Sequence, residues 1–120
     1  MQFLDYISRQ RYFALCREAL PILGRDGSLA GVDVNSPAAG HVYAKTGTGV
    51  SGSASSPVLD AALAGFVRRP DRRWVTFAEF MNMPVASPAD AMSAGNVADE
   101  AMGDIATAVY ESTHHGRKTQ

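Results

Sequence analysis

The chain has 120 residues, 46% of them apolar and 19% charged, with 11 Lys and Arg against 12 Asp and Glu. That composition fits one globular domain and excludes a disordered or fibrous chain. A net charge near zero gives no broad field to hold a polyanion, so nucleic acid is not an expected partner.

Residues 2–20 read as helix: Phe3, Leu4 and Ile7 share one face, and Phe13, Cys16, Arg17 and Leu20 continue at helical spacing after a polar Arg9-Gln10-Arg11 break. Pro21 closes the stretch. Cys16 is the single cysteine, which excludes an internal disulfide and any Cys-x-x-Cys motif. Phe13, Leu15 and Leu20 around it predict a buried, inert thiol. Met1 to Asp5 pairs no basic segment with an apolar run, so no signal peptide is expected, and no window is apolar enough for a membrane span. Gly24 to Gly27 and Asn35-Ser36-Pro37 are turn chemistry, which makes residues 22–40 a connection with at most a short extended piece.

From His41 to Thr46 side chains alternate, with His41, Tyr43 and Lys45 on a wet face and Val42, Ala44 and Thr46 on the other. Residues 49–57, rich in Gly and Ser, are expected to form a mobile loop. Ala61 to Val67 and Trp74 to Met83 read as a hairpin joined through Arg68 to Arg73, a basic run with turn chemistry at Pro70-Asp71 and so an exposed tip. The second run is apolar on both faces, which predicts a strand covered on both sides. A last helix is expected to start at an Asn96 cap, with Asp99 and Glu100 in its first turn and an apolar stripe of Ala98, Ala101, Met102, Ile105 and Val109. It should lie across a sheet face. Residues 113–120 read as a disordered tail, and His114-His115 within it lacks further metal ligands nearby. No metal and no cofactor are expected.

Lys45 is the only lysine before Lys118, and it sits beside Thr46 and Gly47. A phosphate loop needs Gly-x-x-x-x-Gly-Lys-Thr, and the two glycine positions here hold Ala39 and Ala44, so that reading fails. The alternative is the Lys-Thr-Gly triplet of penicillin-interacting serine enzymes, carried on an edge strand.

The likeness extends beyond the triplet. Leu20-Pro21-Ile22-Leu23-Gly24-Arg25-Asp26-Gly27-Ser28-Leu29 and Ser36 through Thr48 resemble, in order and spacing, the D-alanyl-D-alanine carboxypeptidase/endopeptidase family of low-molecular-mass penicillin-binding proteins. Ala64-Gly65-Phe66, the strand around Phe77 to Asn82 and the terminal helix resemble the last segment of that family. The resemblance implies an α+β fold: a partial penicillin-binding-protein or β-lactamase-like domain over residues 1–120, with a three-stranded antiparallel sheet, flanking helices and a packed C-terminal helix. It implies a serine acyl-transfer site in the cell envelope or periplasm, acting on peptidoglycan stem peptides or β-lactams. Lys45 would supply positive charge, Thr46 would hydrogen-bond the substrate carboxylate, Gly47 would let the substrate backbone approach, and the Thr48 N–H would be an oxyanion donor.

Two family elements are absent. The residue three after each serine is never lysine, as at Ser8 (Arg11), Ser28 (Gly31), Ser36 (Ala39), Ser93 (Asn96) and Ser112 (His115), and no serine or tyrosine is followed two positions later by asparagine. The expectation is therefore a C-terminal part of such an enzyme whose nucleophile comes from a missing N-terminal segment or a partner chain. A non-catalytic module that binds D-Ala-D-Ala peptides or a protein partner is the alternative. The resemblance also implies a bare edge on the strand from Trp74 to Met81, which invites a partner or a homodimer.

Overall fold

A computed structural model describes residues 1–112. The elements are α1 (Gln2–Ser8), α2 (Phe13–Glu18), a 3-10 turn at Gly27–Leu29, β1 (Val42–Ser53), β2 (Ser56–Arg68), β3 (Trp74–Pro84), a 3-10 turn at Pro88–Asp90 and α3 (Ala91–Glu111). The three strands form one antiparallel sheet in the order β1-β2-β3. The fold is α+β, with the C-terminal helix packed on the sheet.

Period-2 alternation sorts the sheet into two faces. Val42 and Ala44 of β1, Leu59, Leu63 and Val67 of β2 and Phe77 of β3 are buried on one face, against Ala98, Met102 and Ala106 of α3. Those three recur every fourth residue, so one stripe of α3 covers the sheet. Leu23, Leu29, Val32 and Ala38 bring the 22–40 connection into the same core.

The opposite face is only partly covered. Phe13 of α2 packs edge-on against Phe66 at 4.9 Å and Trp74 at 5.1 Å between ring centroids. Thr76 Oγ1 donates to Asp5 Oδ1 of α1 at 2.8 Å. The polar break at residues 9–11 separates the two short helices, as the spacing predicts. Phe3 and Leu15 stand exposed and Cys16 is half-buried, so these helices bury less than their apolar residues suggest.

Four expectations need correction. Residues 49–57 are not a loop: β1 continues through Ser53 and returns through a tight turn at Ala54-Ser55, with Gly49 paired to Asp60 and Val50 to Leu59. The ladder joins main-chain groups, so it runs through small residues that carry no strand pattern. Asn96 does not cap α3, which starts at Ala91, so Asp99 and Glu100 lie in its interior. Pro88 opens the 3-10 turn that leads into it. Nor is β3 covered on both sides, because Phe80 is 81% exposed. Finally, the Arg68 to Arg73 tip is not fully solvated, because Arg69 is 8% exposed. The expected tail at 113–120, with His114-His115, lies outside the described residues.

Candidate functional site

The edge of β1 gives the Lys-Thr-Gly stretch its geometry. Main-chain groups of an antiparallel strand point alternately to either side. The Ala44 N–H donates to Pro21 O at 3.0 Å and Val42 O accepts from the Leu23 N–H at 3.0 Å, whereas His41 O accepts from the Arg68 N–H at 2.8 Å. Even-numbered residues of β1 therefore turn their N–H and C=O off the sheet, and odd-numbered ones turn them toward β2. By that alternation the Thr46 and Thr48 N–H groups face outward, past the Pro21 to Leu23 segment that occupies the edge at Val42 and Ala44. No main-chain partner meets them among the described residues.

Side chains add polar groups to this edge. Lys45 is exposed, and its Nζ curls back to donate to Thr46 O at 2.8 Å, which brings the ammonium to the strand's outer side. Thr46 is half-buried, and its Oγ1 lies 3.2 Å from Ser28 Oγ. The 3-10 turn at Gly27–Leu29 carries Ser28 into that position. Sequence reasoning placed no role on Ser28, because it lies 18 positions before Thr46 and only the folded connection unites them.

Gly47 and Gly65 show why a glycine can be present for different reasons. A Cβ on Gly65 would lie 2.1 Å from Tyr43 O and 2.6 Å from Ala44 Cα, so the approach of β1 to β2 demands its bareness. A Cβ on Gly47 would meet only Ala62 Cβ, at an ordinary 3.8 Å. The fold makes no such demand at Gly47.

Beside Thr48 a cleft of about 400 Å³ opens between β1 and α3, lined by Leu59, Ala91, Asn96 and Asp99 among others. A second, of about 240 Å³, runs from Ser28 and Val32 to the same Asn96 and Asp99. Burial, with a smaller contribution from Glu100, raises the Asp99 carboxyl above the usual carboxylate range. Asn96 is thus a lining residue of both clefts rather than a helix cap.

One ammonium, two hydroxyls and outward N–H donors converge on a single strand edge. Such donors are of the kind that a carboxylate or an oxyanion accepts from. Among the described residues no lysine hydrogen-bonds a serine, and no cluster of three His, Cys, Asp or Glu is arranged to hold a metal.

The model of the D-Ala-D-Ala carboxypeptidase 3 (S13) family matches residues 1–102. The chain belongs to that family. No individual curated protein matches it. The family match takes in α1, α2, Ser28, the whole sheet and α3 as far as Met102, and so contains Lys45, Thr46, Gly47 and Thr48. Among the described residues no helix is long and apolar enough to cross a membrane.

Proposed function

We propose that this chain is the C-terminal segment of a serine-type D-Ala-D-Ala carboxypeptidase and supplies the carboxylate-holding wall of its site. The observation that carries the reading is the open edge of β1 at Thr46 and Thr48 in a chain of this family. The substrate is a peptidoglycan stem peptide, with a β-lactam as its mimic, and the place of action is the cell envelope.

Each residue has a stated part. The Thr46 hydroxyl, held by Ser28, hydrogen-bonds the terminal carboxylate, and the Lys45 ammonium supplies the opposite charge. Gly47 keeps the exposed strand face clear for the peptide, a role supported by the absence of any packing demand on it. The serine hydroxyl that attacks the D-Ala-D-Ala carbonyl comes from outside these 120 residues. As the carbonyl becomes an oxyanion, the Thr48 N–H donates to it, a contribution of about 3 kcal/mol in the transition state.

A second reading is supported by one specific observation: Ser28 meets Thr46 beside the open strand edge within a chain that has no Ser-x-x-Lys. On that reading the chain is a module that binds D-Ala-D-Ala peptides, or a protein partner, without chemistry. The outer edge of β3 is the surface where the missing segment, a partner chain or a second copy would add a strand. By the same alternation it turns the main-chain groups of Thr76, Ala78, Phe80 and Asn82 outward.

A fluorescent penicillin and a D-Ala-D-Ala peptide decide between these. The chain alone should bind the peptide weakly and take up no covalent penicillin, and a segment carrying Ser-x-x-Lys should restore acylation. Acylation of the chain by itself would refute the missing-nucleophile reading. Peptide binding that no added segment converts to acylation selects the binding module.

A further inference from the structure

The β2-β3 hairpin tip contains the second chemically distinctive feature of the fold. Between it, α2, the start of β1 and the end of α3 lies a cavity of about 590 Å³, into which Arg17, Arg68, Arg69 and Arg72 all contribute. Among the described residues no acidic side chain lines it. Asp71, in the same hairpin tip, is already engaged: one oxygen accepts from the Arg73 N–H at 3.0 Å and the other lies 4.0 Å from Arg69.

The guanidinium groups of Arg17, Arg68 and Arg69 are held in place, and Arg72 is exposed. Arg17 lies 4.8 Å from the ring centroids of both Phe13 and Trp74, and Arg68 lies 5.2 Å from that of Trp74. Arg69 is buried, donates to Ser112 O, and has an Nε with no hydrogen-bond partner among the described residues. Arg72 adopts a left-handed φ of 71°, a conformation that costs a bulky residue energy unless its surroundings impose it. His41 stacks on Tyr110 with 5.1 Å between centroids, and both line the same cavity with Tyr43. Imidazole and phenol edges there can donate further hydrogen bonds to an anion.

We propose that this cavity binds a phosphate-bearing anion larger than inorganic phosphate, held by Arg17, Arg68, Arg69 and Arg72. A single carboxylate is satisfied by one guanidinium fork. A phosphate monoester or diphosphate carries more charge and more acceptor oxygens, and matches several forks at once. The cavity volume lies in the range of small-molecule sites, well above what one phosphate fills. The overall charge of −1 argues against a nucleic-acid surface, since the chain as a whole carries no net positive field.

Trp74 is the only tryptophan, so its fluorescence reports occupancy directly. The full chain is titrated with pyrophosphate, and with acetate at matched ionic strength. Pyrophosphate should shift the Trp74 emission in a saturable way, and acetate should not. Replacing two arginines (Arg68→Gln with Arg72→Gln) should weaken pyrophosphate by at least about tenfold through loss of charge-assisted bonds. Removing the same charge outside the cavity, with Arg9→Gln and Arg11→Gln, should leave binding unchanged. Circular dichroism checks that both variants fold, and the pyrophosphate-acetate contrast on the unaltered chain decides the matter if either does not. Sedimentation with phosphatidylglycerol vesicles separates the sources of the phosphate. Vesicle binding competed by pyrophosphate assigns a lipid headgroup, and pyrophosphate binding without vesicle binding assigns a soluble phosphate compound. No saturable response, equal weakening in both double variants, or acetate binding as tight as pyrophosphate overturns the proposal.

Discussion

Substituting alanine at Gly47 and at Gly65 in separate variants tests whether a bare strand position serves the fold or the ligand. At Gly65 the new methyl would lie 2.1 Å from Tyr43 O and 2.6 Å from Ala44 Cα, both main-chain atoms that no rotamer change can move. Relief requires β1 to lift off β2, an overpacking cost at the upper end of the usual range, about 3 kcal/mol. Spread over 120 residues, an unfolding entropy of about 2.1 cal/mol/K per residue converts that to a fall in Tm of about 12 °C. At Gly47 the methyl finds an ordinary 3.8 Å contact with Ala62, and alanine loses less chain entropy than glycine, so Tm should change by no more than about 2 °C. Thermal melts followed by circular dichroism read both values, and the same samples are titrated with a D-Ala-D-Ala peptide. Gly47→Ala should keep its Tm and lose peptide affinity. A comparable drop in Tm for both variants would refute the reasoning, because Gly47 would then be a requirement of the sheet.

Phe13→Ala removes the ring that α2 inserts between Phe66 and Trp74 and should cost about 3 kcal/mol in urea denaturation followed by Trp74 fluorescence. Ser28→Ala breaks an exposed contact with Thr46, so the urea midpoint should hold while peptide affinity falls about fivefold, or about 1 kcal/mol. Burial pushes the Glu79 carboxyl from 4.5 to about 7, and neither oxygen has a partner among the described residues. Because the folded state holds this proton more tightly, the contribution of Glu79 to stability is greatest at low pH, falls as pH rises from about 4.5 to about 7, and is level above that. Glu79→Gln should remove that fall, a gain near neutral pH of about 1 kcal/mol once partial exposure is allowed for, measured by urea midpoints from pH 4 to 8.

What the sequence determined by itself was local. Alternation from His41 to Thr46, the two apolar runs around Pro70-Asp71 and the 3.6-residue stripe through Ala98 and Met102 are short-range patterns, and each appears in the structure as strand, hairpin and helix. The Lys45-Thr46-Gly47 triplet was legible for the same reason, being contiguous. Tertiary structure decided everything that depends on a distant partner. Gly49 to Ser53 is strand because β2 offers a matching row of main-chain groups, a pairing that small side chains cannot announce. Phe80 is bare because the face of the sheet it stands on is only partly covered, which the apolar composition of β3 could not reveal. Ser28 meets Thr46, and Arg69 is buried at Ser112, only after the connection and α3 have folded onto the sheet. Backbone periodicity reports which way a side chain faces, and the rest of the chain decides what stands opposite it.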